Sequence, residues 1–304
     1  MLMARIIGVH GVGNHRPGER ADQASRQLSS IWRRHLASRS PDVHAVEVAY
    51  YADLLRIPGR QGADDLDNLP AEVEQMLRIW LESLDLPTQG RQGWGTWPLR
   101  QALAWVAERR GLSPHLVNLF VATFFREVSI YLNPNDDSAR TAARERVVQT
   151  LRAADAEVVI AHSLGSVVAY EALWACPDVS IDLLVTLGSP LALPHAVFPK
   201  LFPTPVKDRG ARPPGVARWV NLADPGDLVA VPPFGVSRRF ADVDIDEHSI
   251  AHAFDFHLVS NYLSCARLAS TLIEHSLRSG RPQSSGSRVA ENKQLPPAQP
   301  RTAR

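Results

Sequence analysis

Cysteine is scarce in this chain of 304 residues, which holds only Cys176 and Cys265. They stand far apart, without the spacing of a metal site or of a disulfide framework. Both thiols are expected to pack as small buried hydrophobes, and nothing demands an oxidising compartment. Net charge is nearly absent as well. The 33 Lys and Arg against 32 Asp and Glu give a formal charge of +1, so the basic excess of a nucleic-acid binder is missing. No uncharged apolar run reaches membrane-spanning length. The nearest, 112–132, carries His115, Arg126 and Glu127, so no integral span is expected. The first residues, MLMARIIGVHG, lack the long apolar core and small-residue cleavage site of a secretory signal, and the expected location is cytoplasmic. What remains, 45% hydrophobic and 21% charged residues, is ordinary globular composition. The length suits one large α/β domain or two smaller ones.

Several ligand fingerprints begin and then fail. Gly11 and Gly13 open a G-x-G, but the next glycine is Gly18, so the dinucleotide pattern is incomplete. No Gly-Lys-Ser/Thr follows, which excludes a P-loop. Asp242, Asp244 and Asp246 have the two-residue spacing of a calcium loop, yet its sixth position would be Glu247 and its twelfth Ala253, where Gly and Glu are needed. An edge strand with Val243 and Ile245 facing inward is expected there instead. No metal or organic cofactor is expected.

What is present centres on Glu157 to Leu173, EVVIAHSLGSVVAYEAL. The β-branched run Val158, Val159, Ile160 enters the turn Ala161-His162-Ser163-Leu164-Gly165, and helical spacing follows through Val167, Val168, Leu173 and Trp174. Strand, tight turn and helix with serine at the apex is the setting of a nucleophile elbow. Such a turn has no room at its flanks, so the positions two before and two after the serine must be small. Here they are Ala161 and Gly165. The alternative is a serine that merely caps the following helix. At these residues the chain resembles the α/β-hydrolase superfamily, and within it the bacterial lipase- and esterase-like members with an A-H-S-L-G elbow.

Around this stretch the pattern alternates strands and helices, as in a parallel α/β sheet. Strands are expected at 5–9, 44–51, 158–160, 181–187 and 216–222. Helices are expected at 20–37, 70–84, 99–109, 114–132, 139–153, after the elbow, and finally to Leu277. The stretch 194–214, rich in Pro and basic residues, reads as a surface loop. Residues 1–52 and 139–278 would form the core of the domain. Residues 53–138 would be a helical insertion, with Trp94, Trp97, Trp105, Phe120, Phe124 and Phe125, acting as a cap or lid. The polar tail 279–304 is expected to be disordered.

The resemblance implies an α/β-hydrolase fold, a mostly parallel sheet flanked by helices with a helical cap insertion. It also implies a triad in the order Ser163, Asp227, His257. Asp227 opens a D-x-V-x-x-P segment after the turn Asn221 to Pro225, while Asp224, its second choice, is read as the turn former. His257 is followed five residues later by Tyr262-Leu263, as in the terminal histidine motif of such hydrolases. His252 is the second choice for the base, and His248 is expected to be a solvated loop residue. The His10-Gly11 loop matches an oxyanion loop, with backbone donors assigned to Val12 and Leu164. Ser189 is expected to make local hydrogen bonds. The implied activity is hydrolysis of carboxylic esters, lipid-like ones among them, through an acyl-enzyme. A thioesterase, an amidase, an acyltransferase or a non-catalytic interaction protein of the same fold are the alternatives. The implied partner is a small-molecule or lipid-like ester, and a protein partner is left open.

Overall fold

The computed structural model describes residues 5–43, 45–55, 69–84, 98–250 and 257–279. The expectations for Trp94, Trp97, His252 and 280–304 lie outside them. The chain runs β1 (Ile6–Val9), α1 (Ala21–Ala37), β2 (Val46–Ala49), α2 (Ala71–Ser83), α3 (Leu99–Arg110), α4 (Pro114–Tyr131), α5 (Ser138–Ala154), β3 (Val158–His162), α6 (Leu164–Ala175) and β4 (Ile181–Leu187). It continues with β5 (Gly210–Ala211), β6 (Val216–Leu222), α7 (Gly235–Arg239), β7 (Phe240–Ala241), β8 (Ile245–Glu247), α8 (Val259–Leu263) and α9 (Ala266–Ser279). Six strands form one parallel sheet in the order β2-β1-β3-β4-β6-β8.

Buried on both faces, the central strands read as apolar runs rather than as alternating ones. Ile7, Val9, Val159, Ala161, Leu184 and Trp219 join one apolar cluster, together with α2 to α6. Ile6, Val158, Ile160, Leu183, Val185 and Val220 join another, together with α1, α8 and α9. Helices α2 to α4 share the first cluster with the sheet, with Trp80 edge-on to Phe125 at 5.6 Å. The Trp80 indole N–H donates to the Leu228 carbonyl at 2.6 Å and so ties α2 to the loop after β6. No helix among the described residues is long and apolar enough to cross a membrane.

Topology places the functional end. The chain leaves β1 on one side to make β2 and returns on the other to make β3, so strand order reverses between β1 and β3. Val9 pairs with Ala161, which brings the carboxyl ends of the two strands level. In open α/β sheets the crevice beyond such a switch point is where ligands bind.

Three local expectations are corrected. The stretch 194–214 is not simply a surface loop, because Ala196, Val197, Phe198 and Leu201 are buried. A short 3-10 turn at Phe198–Lys200 turns Phe198 edge-on to Phe240 at 5.5 Å. Residues 238–246 are not one edge strand. Arg238 and Arg239 close α7, Phe240 and Ala241 pair with β5, and Asp242 turns the chain at φ 62°. Only Ile245–Glu247 joins the main sheet, and Val243 and Ile245 pack against opposite apolar clusters. The final helix is interrupted at Ser264 and Cys265, between α8 and α9.

Candidate active site

Ser163 stands between β3 and α6 with φ 56° and ψ −132°, a conformation that a non-glycine residue adopts only where its surroundings over-determine it. Those surroundings are specific. The Ser163 N–H donates to the Leu187 carbonyl at 3.0 Å, and its own carbonyl accepts the Ser166 N–H at 2.9 Å and the Ser166 hydroxyl at 2.6 Å. Ser189 bonds the same Ser166 hydroxyl at 2.7 Å, and it accepts the Leu191 N–H at 3.3 Å, the local role expected of it. The Ser163 side chain makes no capping hydrogen bond to α6. Its hydroxyl is buried and finds no partner among the described residues.

The acid loop follows β6. Asp224 Oδ1 accepts the Gly226 N–H at 2.7 Å, and its carbonyl accepts the Asp227 N–H at 3.0 Å. This aspartate shapes the turn. Asp227, 2% exposed, takes the Val229 N–H on Oδ1 at 2.7 Å, and on Oδ2 it faces His257 Nδ1 at 2.7 Å. A carboxylate can only accept, so Nδ1 carries the proton and Nε2 is left as the basic nitrogen. Nε2 is buried and, like the Ser163 hydroxyl, unpartnered among the described residues. Buried polar atoms without partners are few in folded proteins, and here three of them, with His162 Nε2, belong to residues that border one cavity. Gly188, at φ 52°, leaves space for the pair, since a β-carbon there would stand 2.6 Å from Asp227 Oδ2.

The His257 ring lies edge-on to Phe120 at 5.0 Å and tilted against His162 at 4.7 Å. Burial, helped by neighbouring His257, drives the His162 imidazole well below its usual range, against a hydrogen bond to the His257 main chain. His162 is therefore neutral.

The loop after β1 is pinned from three sides. His10 Nδ1 donates to the Gly11 carbonyl at 2.8 Å, its Nε2 accepts the Tyr51 N–H at 3.1 Å, and its ring stacks on Tyr51 at 4.2 Å. Burial lowers His10 to about 4, so it too is neutral. The Asn14 amide donates to the carbonyls of Gly11 and Val12. Glu127 on α4 accepts the Gly13 N–H at 2.9 Å, and burial raises its carboxyl to about 7 in spite of that bond.

Ser163 and His257 open onto a cavity of about 560 Å³, walled by Val12, Leu116, Phe120 and Leu258 among others. Leu116 and Leu258 are themselves 56% and 50% exposed and stand at its rim. A second cavity of about 490 Å³, lined by Arg5, Ser29 and Glu47, lies at the opposite ends of the strands. Among the described residues no cluster of three His, Cys, Asp or Glu could hold a metal ion.

The structure thus brings Ser163, Asp227 and His257 to one end of the sheet. Leu164 opens α6, where a backbone N–H has no intrahelical partner, and Val12 lines the cavity. Asp224 holds its own turn through Oδ1. His248 is not solvated, because its ring is buried, with Nε2 2.9 Å from the Phe234 nitrogen and 3.1 Å from Asp246 Oδ1, the tautomer selecting which of the two it bonds. Sequence reasoning missed the hydroxyl of Tyr262, which donates to Asp227 Oδ2 at 2.6 Å. Its only signal was the place of Tyr262 five residues after His257. Compared with known protein families, with curated proteins and with solved structures, the chain gives no match.

Proposed function

We propose that this chain is a serine hydrolase of the α/β-hydrolase type that cleaves carboxylic esters through an acyl-enzyme. One observation carries the reading. A serine held in a strained strand-to-helix turn shares a cavity with the free Nε2 of a histidine whose Nδ1 is bonded to a buried aspartate.

A serine hydroxyl is a weak nucleophile unless a base takes its proton as it attacks. In this mechanism Ser163 Oγ bonds to the ester carbonyl carbon while His257 Nε2 takes the hydroxyl proton, and the carbonyl oxygen becomes an oxyanion. The N–H groups of Val12 and Leu164 receive that charge, contributing about 3 to 4 kcal/mol each. The tetrahedral species collapses, the bond to the alcohol oxygen breaks, and His257 returns the proton to the leaving alcohol. Water then attacks the acyl-serine with His257 again as base, releasing the acid and free Ser163. Asp227 keeps His257 in the productive tautomer and stabilises its cationic form. The apolar walls of the cavity favour an acyl chain over a charged group, with α2 to α4 as the cap. Thioesters and amides would use the same steps, so acyl preference has to be measured with matched leaving groups.

The test is labelling of the purified protein with a fluorophosphonate, with Ser163→Ala as control and mass mapping of the modified peptide. Labelling at Ser163 alone is expected. Folded protein that stays unlabelled, or is labelled elsewhere, would overturn the reading.

A further inference from the structure

Asp227 accepts four hydrogen bonds from the described residues. The N–H groups of Val229 and Ala230 reach Oδ1 at 2.7 and 3.4 Å, while His257 Nδ1 and the Tyr262 hydroxyl both reach Oδ2, at 2.7 and 2.6 Å. Two donors therefore share a single oxygen. The Tyr262 hydroxyl also accepts the Asp224 N–H at 3.0 Å, which leaves its proton directed at Asp227. Tyr262 is 2% exposed, and burial, with Asp227 adding to it, holds the phenol well above its usual range. It stays a donor at every working pH.

We propose that Tyr262 is a positioning residue that limits how much of the Asp227 charge reaches His257. The physical cause is competition. A phenol bonded to a carboxylate draws charge from the shared oxygen, and a weaker acceptor stabilises imidazolium less. Among the described residues, the titratable groups around its ring are Asp227 and, through Tyr262, Asp224 from the loop after β6, Tyr262 from α8, and His162 from β3 with His10 behind it; α4 presents Phe120. Both neighbouring histidines are neutral, so Asp227 is the charge in contact with the base among the described residues. The same hydroxyl ties the acid turn, through Asp224, to the helix that follows His257.

This inference rests on the hydrolase reading for its catalytic meaning, but its test does not need turnover. In the full chain, Tyr262→Phe removes the hydroxyl and keeps the ring. The proton resonance of His257 Nδ1–H is expected to move downfield, because the imidazole then has Oδ2 to itself. The acid limb of the fluorophosphonate labelling profile is expected to move to higher pH by roughly 0.5 to 1 unit. Site-specific 3,5-difluorotyrosine at 262, a more acidic donor, is expected to move both signals the other way. An unchanged resonance and an unchanged limb in both variants would overturn the proposal. So would a fall in the plateau rate with the limb in its wild-type place, which marks a brace without electrostatic influence. Melting temperature shows that each variant is folded; if Tyr262→Phe does not fold, the fluorinated protein decides. If the wild type never labels, the hydrolase reading fails, and the resonance alone decides whether Tyr262 competes for Asp227.

Discussion

Gly165 lies so close to β1 that a β-carbon on it would stand 2.3 Å from the carbonyl oxygen of Val9. The His10 carbonyl is equally near, so the obstacle is backbone and has no rotamer by which to yield. This contact seats the first turn of α6 against the end of β1, and with it Ser163 beside the loop at residues 10–15. Gly165→Ala is expected to lower unfolding stability by about 1 to 3 kcal/mol, the range for overpacking a dense core. A urea titration measures this, and wild-type stability would show that the helix can shift at little cost.

Ser163→Ala separates chemistry from folding. The substitution removes a buried hydroxyl that has no partner among the described residues, so stability should be within about 1 kcal/mol of wild type or better. Ester hydrolysis should fall by on the order of 10⁴-fold or more, as when a nucleophile that acts as part of a unit is removed. Rates with matched esters and a thermal melt on the same preparation check both halves.

The two aspartates of the acid loop should respond differently to the same change. Asp227→Asn puts an amide against His257 Nδ1 and should cut hydrolysis by on the order of 10⁴-fold, mainly in kcat. Asp224→Asn keeps an oxygen able to accept the Gly226 N–H, and activity should stay within roughly threefold of wild type. Steady-state kinetics on the pair decides, and the reverse order would reassign the acid.

Glu127 gives a pH signature with a definite sign. Its folded carboxyl is raised to about 7, above the unfolded value near 4.3. Between these limits the folded state binds more protons, so the contribution of Glu127 to stability falls as pH rises. His10, lowered to about 4, has the opposite sign and loses stability as pH falls from about 6.5. A single wild-type curve therefore mixes the two. The difference between Glu127→Gln and wild type isolates the first: it should grow in favour of the variant from pH 4.5 to 7, by no more than about 1.4 kcal/mol per unit. Denaturant melts at four pH values measure it, and a flat difference would mean that the carboxyl is solvated.

Much of the architecture was legible because its causes are local. The run Val158 to Ile160, the small residues Ala161 and Gly165, and the helical spacing after them specify strand, turn and helix through sterics and periodicity that act within a few residues. The same holds for β4 and β6, whose apolar runs match the strands residue for residue. The break between α8 and α9 was not legible, since helical spacing runs on across Ser264 and Cys265. Nor was the burial of Phe198 in a stretch whose prolines and basic residues suggest a surface.

The sequence by itself determined that a serine would stand at the apex of a strand-to-helix turn and that aspartates and histidines would follow it in order. Only the tertiary structure decided which aspartate meets His257. Asp224 and Asp227 are three residues apart and chemically identical, and the choice between them rests on Tyr262, Gly188 and His257, which reach the acid loop from other parts of the chain. Burial likewise decided that His10 and His162 are neutral and that His248 is enclosed. Hydrogen-bond partners and desolvation depend on what the fold packs around a group, and no local pattern of residues carries that information.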